Sequence, residues 1–220
     1  MDLVLGLKWY LIFLFSTVCH EAAHAFVALK LGDSTAAEGG QVSLDPWPHL
    51  RREPIGMVVV PLLTLLTSGS LFGWASAPLN PLWARANPRS YALVAIAGPL
   101  ANLVLMGVAT LLMLVGLSQG LVDLPTISSY GYLVVPGLHE WSLFYSSVVN
   151  ILFSMNLLLF VLNLLPVPPL DGSRIPLLFI PEKWASGYFD SVLGNRGFAW
   201  IGLIVMMNFF SIIFKPISQE

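Results

Sequence analysis

Residues 9–29 read WYLIFLFSTVCHEAAHAFVAL, and Glu21 is the only Asp, Glu, Lys or Arg among them. A helix needs about 20 apolar residues, at roughly 1.5 Å each, to cross the hydrocarbon of a bilayer. An ionisable side chain in such a run costs roughly 2.5–3.5 kcal/mol on insertion scales, so its presence calls for a functional reason. The neighbours of Glu21 supply one. His20 and His24 stand four residues apart on one helix face, spaced to hold a single zinc ion, with Glu21 beside them as a general base towards water. The chain has four histidines in 220 residues. A shuffled chain of this composition would contain His-Glu-x-x-His about 0.002 times, so chance is a poor explanation.

The composition agrees with a membrane setting. Hydrophobic residues make up 56% of the chain and charged residues 10%, with a mean hydropathy of +0.79; a soluble domain carries about 25% charged residues. The net charge of -2 and the lack of a basic tract give no reason for a nucleic-acid partner. Cys19 is the single cysteine; it cannot form an internal disulfide and reads as a small packing residue. The N-terminus lacks the basic region and cleavage site of a signal peptide and reads as a retained span.

No Asp, Glu, Lys or Arg occurs in 54–84, 90–122, 141–170 or 197–214. These gaps place spans near 4–30, 55–71, 91–117, 148–180 and 197–214. The expectation is an all-α polytopic membrane protein, one domain over 1–220, with about five transmembrane helices. The second and fifth spans are short, so one is tilted or re-entrant and the number lies between four and six. Between the first two spans, Gly39, Gly40, Pro46, Pro48 and the alternating Gln41–Leu44 predict a small extended or hairpin element at 39–46. Residues 72–81 are apolar yet rich in Gly and Pro, which predicts irregular backbone buried in protein or lining a cavity.

A catalytic zinc takes three protein ligands and leaves one position open. His49 and His139 fall in loops and read as surface or interfacial residues. Asp171 is the better third ligand. It follows the charge-free 141–170, and Pro166, Pro168 and Pro169 must break the helix at 163–172. A broken membrane helix lines a site and not lipid. Four consecutive full spans would make the first and fourth helices antiparallel, and Asp171 would reach the depth of His20 and His24 only if the fourth element continued past the prolines towards Pro181. In the third span, Gly98 and Ala101 read as close helix packing, whereas Asn102 is an amide that needs a partner and is a candidate for a place at or near the site. A membrane metal transporter would also use intramembrane His and Asp with broken helices, but it gives no reason for Glu21 beside the first histidine.

Together, His20-Glu21-Ala22-Ala23-His24, Phe72-Gly73-Trp74 with Asn80-Pro81, Ala97 through Asn102, and Asn163 through Gly172 resemble the site-2 protease family of intramembrane zinc metalloproteases. The resemblance runs from about residue 17 to 176. It implies His20, His24 and Asp171 as ligands to one Zn2+ per chain, Glu21 as the catalytic glutamate, and Asn163 as a supporting residue that orients substrate or transition state. It also implies a multi-pass protein of a prokaryotic cell membrane that cleaves transmembrane protein or peptide substrates within the lipid bilayer. The chain is similar to the compact members, having no segment that fits a PDZ or cystathionine-β-synthase-type domain. Asn163 is followed by Leu164, so the family's frequent Asn-Pro pair is absent in strict form. An inactive family member that binds membrane segments would share these residues.

Overall fold

The computed structural model describes residues 3–126 and 132–195, with 197, 198, 200–202 and 204. In chain order it comprises α1 (Leu3–Leu31), the short α2 (Thr35–Glu38) and α3 (Pro46–Arg52), a π-helical turn (Ile55–Val59) leading into α4 (Val60–Ser68), and α5 (Pro81–Ala86). Then come α6 (Pro88–Ser118), the paired strands β1 (Val122–Asp123) and β2 (Val135–Pro136), and α7 (Ser142–Asn163). Tight turns at Asp171–Ser173 and Ile175–Leu178 precede α8 (Glu182–Tyr188). Among the described residues three helices, α1, α6 and α7, are long and apolar enough to cross a membrane, and Ile55–Ser68 is a shorter apolar helix.

Hydrogen bonds between the long helices fix their directions. Lys8 Nζ donates to Ser147 Oγ at 2.7 Å and Asn156 Nδ2 donates to Ser16 Oγ at 3.0 Å. The paired positions rise together, so α1 and α7 run parallel, offset by 139–140 residues. His20 meets Asn102 while His24 meets Val94, so α6 is antiparallel to α1. The Tyr145 hydroxyl donates to the Leu112 carbonyl and Asn102 donates to Asn156, which sets α6 antiparallel to α7 as well.

The connection 32–87 therefore leaves and returns to the same end of the bundle. α4 enters from that end, and the irregular 69–80 runs back beside it. The Phe72 N–H donates to Thr64 Oγ1 at 3.1 Å and the Trp74 N–H to the Gly56 carbonyl at 3.0 Å. Gly69, at φ +67°, ends the helix in the left-handed conformation that glycine adopts without a Cβ clash. Ile55–Ser68 is too short to cross, about 21 Å at 1.5 Å per residue. The expected span at 55–71 is thus a re-entrant helix with its return, and the arrangement of four full spans with antiparallel first and fourth helices does not hold.

Two further expectations are corrected. The 39–46 segment forms no strand. The Asp45 carboxylate instead caps α3, accepting from the Trp47 N–H at 2.9 Å, with Pro46 at the first helical position. Proline there suits a helix start and not a ladder. The strand pair lies at β1 and β2, in the connection from α6 to α7. The span near 148–180 stops at Asn163, and the chain beyond it turns across the bundle, as the expected break at 163–172 requires. Of 197–214, residues 197, 198, 200–202 and 204 are helical and the rest lies outside the described residues.

The main core joins Trp9 and Phe13 of α1 to Leu71 of the re-entrant return and to Ile151, Met155, Leu158 and Leu162 of α7. The return packs tightly: a Cβ on Gly73 would lie 2.6 Å from both the Gly56 carbonyl and the Phe13 ring. Gly73→Val should lower stability by about 1–3 kcal/mol through overpacking, read as the thermal midpoint in detergent. Gly107→Ala, where nothing lies within 4 Å, should leave it unchanged or slightly raised.

Candidate metal centre

His20 and His24 lie one turn apart on α1, both only 5% exposed. Their rings sit edge to face with centroids 4.6 Å apart. The Nε2 atoms are 3.0 Å from each other, and each is 3.1 Å from Asp171 Oδ2. Three ligand atoms from two distant parts of the chain, α1 and Asp171, converge on one point in the bundle.

The surrounding bonds decide what those three atoms are. His24 Nδ1 lies 2.7 Å from the Val94 carbonyl; a carbonyl only accepts, so Nδ1 carries the hydrogen. For His20 the assignment comes through a chain of amides. Asn156 Nδ2 donates to the Leu152 carbonyl at 2.8 Å, which leaves Asn156 Oδ1 to accept from Asn102 Nδ2 at 2.9 Å. Asn102 Oδ1 then accepts from His20 Nδ1 at 2.6 Å. Each neutral imidazole therefore presents a lone pair at Nε2, facing the other and the carboxylate oxygen. Lone pairs so crowded in an apolar interior repel unless a cation joins them. Two imidazole nitrogens and a carboxylate oxygen suit zinc, whose bonds to such atoms are about 2.0–2.2 Å; at tetrahedral angles those lengths put the donors roughly 3.3 Å apart, close to the spacing found. The Nδ1 partners are the outer bonds that hold metal-ligating histidines in one tautomer and orientation.

The helix directions explain how Asp171 arrives. With α1 and α7 parallel at an offset of 139–140, Asn163 ends α7 level with Ala23 and His24. The chain need not continue past the prolines towards Pro181; it only has to cross. Gly172 permits the crossing, since a Cβ there would strike the Leu164 carbonyl at the end of α7. Gly98 makes room from the α6 side. A Cβ on it would fall on the Nε2 atoms of both His24 and His20, so this glycine shapes the site and is not only a helix-packing residue.

Glu21 is 5% exposed, and its carboxylate has no hydrogen-bond partner among the described residues. An ionisable group buried in a membrane segment is costly, so its presence calls for a functional reason. Asn102 is fully buried and touches His20. The side chain of Asn163 turns back to its own helix, donating to the Leu159 carbonyl at 3.0 Å. His49, expected as a surface or interfacial residue, is buried within the chain, with Nε2 donating to the Ser43 carbonyl at 3.1 Å. His139 is exposed near Gly120, at the opposite end of the bundle. Sequence reading missed Asn156, Ser16 and Arg174. The first two were legible only as polar residues in apolar helices; Arg174, three residues after Asp171, reaches Asp171 Oδ1 at 2.5 Å.

A buried His-Glu-x-x-His helix completed by a distant aspartate is the constellation of a metallopeptidase. The sequence matches Peptidase family M50 over residues 9–207, and the chain belongs to that family. It is 37% identical over 161 residues to the Bacillus subtilis (strain 168) protein named "Putative zinc metalloprotease YwhC", covering 73% of this chain and 63% of that one. The Mycolicibacterium smegmatis protein likewise named, Rip2, is 30% identical over 159 residues, covering 72% of this chain and 52% of its own. The chain thus spans between about half and two thirds of the length of these relatives. No solved structure matches it at significance.

Gly98→Ala and Asn102→Leu should each weaken zinc binding by about 10–100-fold, the first by filling the space at Nε2 and the second by freeing the His20 ring. Metal content after equilibration with competing chelators of graded strength measures both.

Proposed function

We propose that the chain is an intramembrane zinc metalloendopeptidase, hydrolysing peptide bonds in or near the transmembrane segments of membrane-protein substrates. The observation that carries this is the convergence of the two Nε2 lone pairs and Asp171 Oδ2, with Glu21 next to His20 on the same helix and its carboxylate free of hydrogen bonds among the described residues. His20, His24 and Asp171 would hold zinc, which supplies Lewis-acid activation of water and of the scissile carbonyl.

The chain's own groups do the rest. Glu21 takes a proton from the attacking water and returns it to the leaving amine. Asn102, fed by Asn156, holds the His20 tautomer. Asn163, at the end of α7, would orient substrate through Oδ1, its Nδ2 being bonded to the Leu159 carbonyl. The apolar bundle keeps bulk water away, while the irregular 69–80 and 164–170 segments interrupt the helical wall where water and an unwound substrate strand would enter. A substrate helix has its carbonyls in internal hydrogen bonds, so it must unwind locally before attack.

On this reading 1–220 is one domain of a multi-pass protein in a prokaryotic cell membrane. Helix directions supply an orientation. The end carrying the C-terminus of α1 gathers Lys30, Arg51, Arg52, Arg85, Arg89, Arg174 and Lys183, whereas the other end holds Lys8 and the loop 118–142 with no Lys or Arg. The positive-inside rule makes the first end cytoplasmic. The zinc site, in the later half of α1, then lies nearer the cytoplasm. Reporter fusions should read 137–140 as extracytoplasmic and 183–187 as cytoplasmic; the reverse would overturn the orientation.

Glu21→Gln should keep one zinc per chain and lose cleavage of a transmembrane substrate in proteoliposomes by at least about 100-fold, the lower range for a lost general base. Retained cleavage by that variant, or chelator-insensitive cleavage by the unmodified protein, would refute the proposal.

A further inference from the structure

The two oxygens of Asp171 have separate partners. Oδ2 faces the Nε2 atoms of His20 and His24, each at 3.1 Å. Oδ1 accepts from Arg174 Nη1 at 2.5 Å. We infer that Arg174 is a positioning residue that holds Asp171 to ligation through one oxygen and so keeps a coordination position open for water or substrate. The inference deepens the metallopeptidase reading above and depends on it.

A carboxylate can bind a metal through one oxygen or chelate it through both. With two imidazoles already present, a chelating Asp171 would supply four protein donors, so a water could enter only as a fifth ligand, in a site crowded towards the form of a structural zinc. A guanidinium N–H on Oδ1 competes for the lone pair that chelation needs, and charge-assisted bonds of this kind are the strong ones.

The arginine is also held where it can do this. It follows directly on the tight turn Asp171–Ser173, with its N–H donating to the Asp171 carbonyl at 2.9 Å. Ser173 Oγ donates to the Leu170 carbonyl at 2.6 Å, and the Tyr188 hydroxyl donates to the Ser173 carbonyl at 2.6 Å. The guanidinium lies over the Tyr91 ring, 5.3 Å from its centroid, and that ring stacks on Phe189 at 5.7 Å. Tyr91, at the start of α6, thus backs the guanidinium, and Phe189, just beyond α8, backs Tyr91. A planar fork suits such a stacked, directed contact; an ammonium does not stack.

The test is metal spectroscopy on the purified full chain loaded with Co2+, in the unmodified protein, Arg174→Met, Arg174→Gln and Arg174→Lys. Tetrahedral Co2+ absorbs visible light more strongly than five-coordinate Co2+. The unmodified protein should give the tetrahedral spectrum, and Arg174→Met and Arg174→Gln should shift to the weaker five-coordinate one while keeping one metal per chain. Arg174→Lys, which retains a donor, should keep the tetrahedral form. With zinc, kcat of the Met and Gln variants should fall about 10–100-fold, the range for outer-shell partners, with KM little changed. A tetrahedral spectrum in folded Arg174→Met and Arg174→Gln would overturn the inference. So would loss of metal from both, since the arginine would then be holding the ligand in place and not limiting it to one oxygen. Failure of the unmodified protein to bind Co2+ or zinc through His20 and His24 would instead defeat the metallopeptidase reading itself.

Discussion

Two imidazole lone pairs and a carboxylate oxygen within about 3 Å of one another, inside an apolar bundle, need a cation between them. Much of the surrounding architecture serves that crowding. The Val94 carbonyl and the Asn102 amide take the two Nδ1 hydrogens, so both nitrogens facing the centre are left as acceptors. Asn102 is aimed by Asn156, and Asn156 by a helix carbonyl whose polarity cannot change. A run of three hydrogen bonds therefore sets the tautomer of one ligand, and its three side chains, His20, Asn102 and Asn156, are buried.

Packing follows from the same requirement. Gly98 leaves the volume at the Nε2 atoms free, and Gly172 lets the chain pass under the end of α7. The parallel course of α1 and α7 puts the end of one helix level with the ligands on the other, so a short crossing is enough to deliver Asp171. The parallel course is possible because α4 turns back without crossing, and the antiparallel α6 then lies between the two in direction. This topology also gathers the described Lys and Arg residues, Lys8 excepted, at one end of the bundle, which an assumed fourth crossing would divide between both.

The candidate metal site was legible in the sequence to an unusual degree because it is built from rare residues in rare places. His20, Glu21, His24 and Asp171 stand out as polar groups in charge-free stretches, and the prolines after Asn163 announce the break that brings Asp171 in. Asn102 could be flagged but not given a partner, since an amide in a helix does not say what it faces. Gly98 looked like packing because a missing side chain carries no sign of what fills its space. The re-entrant course of 55–80 was only half visible: hydropathy marks an apolar stretch, whereas Gly69 in its left-handed conformation decides that the helix ends early. At 39–46 the local alternation suggested a strand, but a strand needs a neighbour and none is offered. Asp45 and Pro46 start a helix there instead.

The most direct test of the central claim is anomalous diffraction at the zinc edge from crystals of the full chain grown with zinc. The account predicts one strong peak per chain, bounded by His20 Nε2, His24 Nε2 and Asp171 Oδ2 at about 2.0–2.2 Å. A zinc-replete crystal with no peak there, or with a peak whose ligands exclude the aspartate, would contradict it.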